Sequence, residues 1–243
     1  MDPQYAQRYR DLALRHWWWR TRNDAVRAEV TRLLGPRRDA AILDIGCGDG
    51  VLFPFLDGFG RVEGIEPDPA VVSPDSPWRH RIELRGFDES FAPNRRYDLI
   101  LMLDVLEHFE DPARALRHAA GRLTGDGRLL LTVPAFRILW THHDELNRHF
   151  NRFTRKELRV LASSAGFDVL ESWYMFQWLF VAKLAARARE WAAGPSRPED
   201  VPSDAVNETI YRLCAAEQGI AGRMMPFGSS LLAVLGKRGG RQP

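Results

Sequence analysis

Short apolar runs alternate with amphipathic segments along most of the 243-residue chain. The runs are rich in Leu, Ile and Val and are bounded by turn residues, which is typical of buried β-strands. They predict strands near 41–46, 61–66, 81–86, 97–103 and 127–133. Strands that alternate with helices favour a parallel sheet with helices on both faces. We therefore expect an α/β fold with a doubly wound sheet.

Two of the helices between these strands have clear start signals. Asp111 and Pro112 supply an N-cap and a proline at the first helical position, ahead of an apolar stripe with helical spacing. Thr154 and Glu157 form a capping-box pattern, and the helix that follows is expected to stop at Gly166. Both helices present one apolar face and are expected to cover the sheet.

A sixth and a seventh strand are expected at 166–175 and 229–238. The segment between them, 176–227, is far longer than the short turn that usually joins neighbouring strands. Its pattern predicts a helix at 176–193, a proline-rich loop at 195–204 and a second helix at 205–224. We interpret the segment as an insertion that either adds core or an oligomer contact, as in a homodimer, or forms a lid over a substrate pocket.

The sequence AAILDIGCGDG at 40–50 leads an apolar strand directly into a glycine-rich turn. Gly46, Gly48 and Gly50 allow backbone conformations that are closed to other residues, and they let a ligand approach the main chain. A second apolar run ends at Glu66, whose carboxylate can accept hydrogen bonds from both hydroxyls of a ribose. The two features together predict an adenosine-containing ligand.

The turn departs from the dinucleotide-binding fingerprint. Val51 stands where that fingerprint requires its third glycine, and Asp49 would repel a pyrophosphate. Both residues argue against a nicotinamide-dependent oxidoreductase, which is the rival enzyme class. A ligand with ribose and adenine but no phosphate fits better, and Asp44 can meet a cationic amino group on it. S-adenosyl-L-methionine has that composition and is the predicted cofactor.

Three segments resemble the motifs of the class I S-adenosylmethionine-dependent methyltransferases in their usual order and spacing: ILDIGCGDG, GIEPD and YDLILMLDVLEHFEDP. The resemblance implies a Rossmann-like sheet of seven strands, mostly parallel with an antiparallel last strand, and an enzyme that transfers a methyl group. Asp88, in the turn after the third strand, is expected to accept a hydrogen bond from the adenine amino group. The other expected cofactor contacts in this core are Asp44, Gly46, Cys47, Gly48, Glu66, Pro67 and Asp104.

The N-terminal segment HWWWRTR at 16–22 contains three adjacent tryptophans, which cannot all face one way on a helix. The segment is either a hydrophobic anchor for a terminal helix or a cap that closes over the cofactor. It resembles the N-terminal cap of a bacterial methyltransferase subgroup. On that resemblance Arg22, rather than Arg20, is expected to pair with the methionine carboxylate in a bidentate fork.

Candidate bases follow the fourth strand, near the expected methyl group. Methyl transfer requires an aligned acceptor and, for a hydroxyl or ammonium, removal of its proton. His108 is one candidate, although a histidine here can also simply bond a backbone carbonyl. Asp104, Glu107 and His108 are similar to a Glu-x-x-Glu-His segment of the ubiquinone-pathway O-methyltransferases, where such groups are linked to a divalent ion. Leu-Glu-His is also widespread in methyltransferases without a metal, so we expect none.

The segment WTHHDELNRHFNRFT at 140–154 contributes His143 and His149 as further base candidates, because histidine titrates near neutral pH. It resembles an Asp-x4-His-x-Arg-Arg-Tyr-Thr segment of the same bacterial subgroup, with two departures. An alternative interpretation is structural. Asp144, His149 and Arg152 would then form a hydrogen-bonded clasp that holds the loop in place.

The acceptor pocket is expected at the edge formed by the carboxyl ends of the strands, where open α/β sheets bind their ligands. The 137–153 loop, the N-terminal cap and the 176–227 insertion are the segments long enough to roof that edge. Their aromatic residues Trp140, Phe150 and Trp178 imply a partly apolar acceptor.

Composition narrows the partners and the location. With 34 basic and 32 acidic residues the formal charge is +2, and the arginines are scattered, so nucleic acid is not an expected partner. Cys47 and Cys214 suggest neither a disulfide nor a zinc site, and the N-terminus lacks a secretory pattern, so a cytoplasmic location is expected. The apolar stretch at 173–186 is shorter than the roughly 20 residues of a spanning helix. Membrane contact is therefore not expected, although the aromatic residues of this stretch leave shallow interfacial attachment open.

A single domain fits a chain of this length. We divide 1–243 into an N-terminal helical cap (1–38), a cofactor-binding core (39–175), the helical insertion (176–227) and the last strand (228–238). The predicted function is S-adenosylmethionine-dependent methyl transfer to an O or N atom of a small, partly apolar molecule in bacterial biosynthesis. The non-enzyme alternative is a catalytically silent, cofactor-binding partner subunit.

Overall fold

The computed structural model describes residues 12–91, 94–193 and 202–239, and its strands form one mixed sheet. The strands are β1 (Ala40–Ile45), β2 (Gly60–Ile65), β3 (Ile82–Glu83), β4 (Tyr97–Leu103), β5 (Leu123–Pro134), β6 (Phe167–Met175) and β7 (Ser230–Lys237). Their order across the sheet is β3-β2-β1-β4-β5-β7-β6. The first five are parallel, and β7 pairs antiparallel with both β5 and β6. The expected seven-stranded, mostly parallel sheet is confirmed.

Helices cover both faces and one edge of this sheet. They are α1 (Trp17–Leu34), α2 (Phe53–Leu56), α3 (Pro112–Arg122), α4 (His142–Leu146), α5 (Arg155–Ser164), α6 (Gln177–Ala193), α7 (Asp204–Glu217) and α8 (Ile220–Met224). Both sequence-predicted helix starts are confirmed. The Asp111 carboxylate accepts a hydrogen bond from the Arg114 amide at 2.9 Å, and Thr154 and Glu157 form a complete capping box.

Two elements differ from the sequence prediction. β3 is shorter than the predicted 81–86, because the Arg85 amide turns back to the Glu83 carbonyl at 3.0 Å and the chain leaves the edge of the sheet. The predicted helix at 205–224 is divided into α7 and α8, because the chain is extended at Gly219. Most of the proline-rich loop predicted at 195–204 lies outside the described residues.

Strand residues alternate between two hydrophobic cores, one on each face of the sheet. Ile42 packs into the core that contains Val26 of α1, whereas its neighbour Leu43 packs into the core with Leu116 of α3 and Leu158 of α5. All five side chains are fully buried. Strands covered on both faces have continuous apolar sequences, which explains why the sequence pattern locates them so well.

The antiparallel direction of β7 decides where the insertion lies. β5 and β6 both end at the carboxyl edge of the sheet, and β7, which runs the opposite way between them, begins at that edge. The segment that leaves β6 and returns to β7 therefore starts and finishes beside the ligand-binding edge. This topology places both ends of the insertion beside the site, whatever its sequence.

The N-terminal helix α1 packs against the insertion through aromatic rings and one buried amide. Trp17 contacts the ring of Phe176 edge-on at 6.2 Å between centroids, and Trp18 stacks on Phe176 at 5.7 Å. The Asn207 side chain in α7 accepts a hydrogen bond from the Trp17 amide and donates one to the Arg15 carbonyl, each at 2.8 Å. Cap and insertion thus form one continuous cover.

Replacing Asn207 by alanine should weaken the packing of α7 against the N-terminal segment. The change removes one buried and one partly buried hydrogen bond and takes this partner from two backbone groups, so we expect the free energy of unfolding to fall by about 2–3 kcal/mol. Chemical denaturation of Asn207→Ala provides the measurement. Thr209→Ala is the matched control, because exposed Thr209 on the same helix bonds only the Ala205 carbonyl. Equal stability of the two variants would contradict the proposed role of Asn207 in holding α7 against the N-terminal segment.

Candidate functional site

A cleft that is open to solvent lies between α1 and the glycine-rich turn. Trp19, Arg22 and Asn23 line one wall, and they share one face of α1 because they are spaced i, i+3 and i+4. The opposite wall is lined by Asp44, Gly46, Cys47, Gly48, Asp49, Val51, Leu52, Val71 and Leu103. The N-terminal segment is therefore a wall of the cleft as well as a hydrophobic anchor. Helical spacing relative to Arg22 would also have placed Trp19 and Asn23 on this face, which the sequence interpretation did not consider.

The glycine turn shapes the floor of the cleft. Gly46 and Gly48 have φ angles of 71° and 55°, which favour glycine. A Cβ on Gly46 would also clash with a methyl carbon of Val105, so the turn has no room for a side chain at this position. Burial raises the pKa of the Cys47 thiol, helped by Asp44 and Glu66, and keeps it protonated. Cys47 therefore contributes shape to the cleft and no reactive thiolate.

Glu66 is held at the end of β2 by backbone amides. Its two carboxylate oxygens accept hydrogen bonds from the amides of Gly48 and Asp68, each at 3.0 Å. Burial raises the pKa of Glu66, while these two bonds oppose the shift. The following residue, Pro67, is exposed. Each carboxylate oxygen keeps a free lone pair for a further donor, as recognition of a diol requires.

Asp44 and Arg22 bring opposite charges to the same cleft. Burial, together with Glu66, raises the pKa of Asp44 to about 7, against the influence of Arg22. Arg22 donates to Asp104 at 2.7 Å and to the side chain of Asn23 at 2.8 Å, and it lies 4.5 Å from the ring centre of Trp19. The cleft thus offers a buried acid for a cation and a guanidinium for a carboxylate.

The alternative arginine, Arg20, and the expected adenine contact, Asp88, both lie away from this cleft. Arg20 pairs with Glu208 at 3.0 Å and lies over the ring of Tyr211, which leaves Arg22 as the arginine that lines the cleft. Asp88 is exposed, accepts a hydrogen bond from the Ser90 amide at 2.9 Å and is not among the lining residues. A direct contact from Asp88 to adenine stays a prediction.

A second cluster lies beyond β4 and β5 and is centred on fully buried Asp144. Its carboxylate accepts two hydrogen bonds from Arg152, at 2.9 and 3.0 Å, and lies 2.9 Å from Nδ1 of His149. Burial alone would raise the pKa of Asp144, but the bonds to His149 and Arg152 outweigh it and hold the pKa well below its usual range. The geometry is that of the hydrogen-bonded clasp.

The two other histidine candidates differ from His149. The ring of His108 meets His149 at 4.8 Å between centroids and bonds the backbone of Asn147 and Arg148. Partial burial of the ring and the neighbouring His149 lower the pKa of His108 to about 4, so it is neutral at physiological pH. His143 belongs to α4, but its side chain lies outside the described part of the structure.

Glu107 lies between the cleft and the clasp. It is 1% exposed, and its Oε2 has no hydrogen-bond partner. Burial and the nearby Asp104 raise the pKa of Glu107 well above its usual range, against the influence of Arg152 and Arg22. Its carboxylate and the rings of His108 and His149 offer three ligand atoms within 4.8 Å of one another. These three residues could hold a divalent metal, whereas Asp104 is engaged by Arg22.

Glu107→Gln should be increasingly more stable than the wild type as the pH rises. Because the folded-state pKa of Glu107 is raised above the unfolded value, wild-type stability falls as pH increases from the unfolded pKa through the folded one. Glutamine cannot ionise. The free energy of unfolding of the variant should therefore increase relative to that of the wild type from pH 5 to pH 8, with a limiting slope of about 1.4 kcal/mol per pH unit.

Thermal unfolding over this pH range measures the effect of Glu107→Gln. The exposed Glu110, three residues away, provides the control Glu110→Gln, for which no pH-dependent gain is expected. If Glu107→Gln is destabilised at every pH, the carboxyl group is ionised and stabilising in the folded state, and the interpretation is wrong.

Comparison with known proteins agrees with this geometry. A family model described as a methyltransferase domain matches residues 18–172. The ubiquinone biosynthesis O-methyltransferase of Azorhizobium caulinodans is 29% identical over 182 residues, covering 67% of this chain and 68% of that protein. The corresponding enzyme of Coxiella burnetii is 23% identical over 151 residues, covering 55% of this chain and 62% of its own length. The chain thus spans about two thirds of these curated relatives.

Solved structures show the same fold. A chain in the complex between the Haloferax volcanii Trm112 methyltransferase activator and a methyltransferase superposes with a TM-score of 0.60 at 18% identity, covering 99% of this chain and 97% of that one. The TehB-like S-adenosylmethionine-dependent methyltransferase of Corynebacterium glutamicum has a TM-score of 0.52 at 21% identity, covering 97% of each chain. Because the family match runs through the glycine turn, Glu66 and Asp104, this chain belongs to the methyltransferase-domain family and is an S-adenosylmethionine-dependent methyltransferase.

Proposed function

We propose that this enzyme transfers a methyl group to an oxygen of a small, partly apolar molecule in bacterial biosynthesis, with His149 as the base. The observation that carries the proposal is the pairing of His149 with the buried carboxylate of Asp144, 2.9 Å away, in the segment that follows β5. The names of the relatives, ubiquinone biosynthesis O-methyltransferases, favour oxygen over nitrogen. Family membership removes the oxidoreductase alternative.

The cleft suits S-adenosylmethionine group by group. We assign the ribose hydroxyls to Glu66, the amino group to Asp44 and the carboxylate to Arg22, because each charge or lone pair is complementary and each residue lines or borders the cleft. Gly46, Cys47, Gly48, Pro67 and Asp104 complete the assigned set, with Asp88 toward adenine. The cofactor supplies an electrophilic methyl group and a thioether leaving group.

The Asp144–His149 pair is arranged to take a proton. Asp144 is ionised because its pKa is depressed, so Nδ1 of His149 donates to it and Nε2 is left as the proton acceptor. Arg152 holds Asp144 through two hydrogen bonds and donates a third to the Ala135 carbonyl at 3.0 Å, which fixes the imidazole relative to β5. The clasp and the base are thus compatible roles for the same residues.

His108 is better suited to positioning than to base catalysis. Its bonds to the backbone of Asn147 and Arg148 hold the loop that carries His149. A pKa of about 4 also makes it a weak base, because proton transfer is most efficient when the pKa of the base lies near the working pH. We therefore place His149 ahead of His108 and His143.

Aromatic residues around the carboxyl edge support a partly apolar acceptor. Phe136, which follows β5, lies 4.8 Å from the ring of Tyr174 and 5.3 Å from the ring of Phe180 in α6. Phe150 and Trp178 are partly exposed on the same segments. The 137–153 loop contributes Phe150, the insertion contributes Trp178, and Trp17 of the cap contacts the Trp178 ring at 5.7 Å between centroids. We therefore propose that these three segments form the acceptor pocket together.

Glu66→Ala should weaken cofactor binding. Loss of charge-assisted hydrogen bonds to the ribose should cost on the order of 1.5–3 kcal/mol in the binding of S-adenosylhomocysteine, measured by calorimetry. Glu83→Ala is the matched control, because Glu83 is exposed on the adjacent strand. Unchanged affinity in Glu66→Ala would remove the ribose assignment, and unchanged affinity in Asp88→Ala would remove the adenine assignment.

His149→Ala should lose roughly 10²–10⁴-fold in turnover while keeping its affinity for S-adenosylhomocysteine, as expected for a general base. Turnover is followed as S-adenosylhomocysteine release with a panel of phenols and amines, which also tests oxygen against nitrogen. His108→Ala and His143→Ala should lose less, and His142→Ala, at an exposed position of the same segment, is the control. If His149→Ala, His108→Ala and His143→Ala all retain near-normal turnover, none of these histidines is the base, and the enzyme catalyses the reaction by aligning the acceptor with the methyl group alone.

Chelation separates this mechanism from its metal-dependent variant and from a silent partner subunit. We expect full turnover after exhaustive chelation. Loss of turnover that magnesium or zinc restores would instead assign Glu107, His108 and His149 as metal ligands, since a bound cation lowers the pKa of an acceptor hydroxyl. A protein that binds S-adenosylhomocysteine but methylates no member of the panel would favour the silent-subunit alternative.

A further inference from the structure

Most of the exposed apolar side chains of the described residues belong to the segments that cover the ligand-binding edge. Ten of the twelve large hydrophobic side chains that are exposed among the described residues lie in three segments, 12–24, 137–150 and 177–225. The other two are Leu84, directly after β3, and Val160 in α5. Single exposed apolar residues are ordinary, but a concentration on one side marks an interaction surface.

One part of this region combines apolar and basic side chains. We call it the loop–α6 surface, formed by residues 137–150 and 177–189. Ile138 and Val181 are 58% and 60% exposed, and Leu146, Phe150 and Trp178 are also exposed. Arg187 in α6 donates to the carbonyls of Ile138 and Trp140, so the loop and the helix lie side by side.

The charges of the loop–α6 surface are mostly positive. Arg137, Arg148, Arg187 and Arg189 are exposed within the two segments, and Glu145 is the one exposed acid among their described side chains. The remaining acid with a described side chain, Asp144, is buried and neutralised by the clasp. An apolar surface flanked by long basic side chains is complementary to an anionic lipid surface, where the arginine heads meet the phosphates and the apolar groups enter the interface.

We propose that the loop–α6 surface binds the face of an anionic lipid bilayer. The attachment is peripheral, since none of the helices in the described part of the chain has the length and apolar character needed to span a membrane. Most of the aromatic residues at 173–186, which had left shallow interfacial attachment open in the sequence analysis, lie outside the loop–α6 surface. Trp173, Tyr174 and Phe176 are buried in the two cores and cannot contact lipid.

The proposed surface is continuous with the candidate acceptor site. The amide of exposed Phe150 donates to the Glu107 carbonyl at 2.8 Å, and His149 is its immediate neighbour in the chain. On the proposed function, an apolar acceptor dissolved in the bilayer could then enter the site without crossing water. The membrane proposal itself does not depend on that function and is tested without turnover.

Co-sedimentation of the full chain with vesicles tests the proposal. We expect binding to vesicles of phosphatidylglycerol mixed with phosphatidylcholine, and little binding to phosphatidylcholine alone. The double variant Ile138→Asp/Val181→Asp should bind the anionic vesicles about tenfold more weakly, because two apolar groups are lost from the interface and two negative charges gained. Arg189→Glu should bind at least about fivefold more weakly, given the attraction of each cation to an anionic surface.

Val160→Asp is the matched control, since Val160 is 64% exposed but lies on α5, outside the three segments. It should bind vesicles like the wild type, and each variant should retain S-adenosylhomocysteine binding and its melting temperature. If the wild type binds no vesicles, or if Val160→Asp loses as much binding as the double variant, the proposal is wrong. Self-association that the double variant abolishes, without vesicle binding, would make this surface a protein interface and would also overturn it.

Discussion

An ion pair 2.7 Å long joins the N-terminal helix to the end of the fourth strand, and the functional edge of the protein is organised around it. Arg22 and Asp104 are both largely buried, so each would be costly to desolvate without the other. Asp104 has a φ angle of 56°, which turns the chain directly after β4 and directs its carboxylate toward the helix. The pair fixes the wall of the cleft that faces the glycine turn.

The ion pair also connects the two halves of the site electrostatically. Asp104 neighbours Glu107 and raises its pKa, while Arg22 and Arg152 act in the opposite direction from either side. The buried acids from the cleft to the clasp therefore outnumber the two arginines. Arg22 pairs with Asp104 and Arg152 pairs with Asp144, which leaves Glu107 between them as an acid without an arginine partner. Burial of such a group is tolerated when it carries a proton, or when it binds a cation, because an isolated charge is too costly in a poorly hydrated environment. This surplus acid explains why proton transfer and metal binding are the two chemistries that the cluster suits.

The cover over this edge is a consequence of strand direction. Because β7 runs antiparallel between β5 and β6, the insertion both leaves and re-enters the sheet beside the site. α1 completes the cover through Asn207 and the stacked rings of Trp18 and Phe176. The same segments expose apolar and basic side chains outward, so one cover encloses the proposed acceptor pocket and presents the proposed membrane surface.

The strands, the two helix caps and the glycine turn could be predicted from the sequence alone. These features depend on local signals, namely apolar runs, the Asp111 and Thr154 caps, and glycines where the backbone has positive φ. Which distant groups meet depends on the packing of the whole chain. The pairing of Arg22 with Asp104, the contact of His149 with His108 and the burial of Glu107 depend on how α1 and the loops pack, which no periodicity records. The aromatic residues at 173–176 are another example, because they are buried where β6 packs beside β7. Burial is a property of the assembled fold and cannot be read from the segment alone.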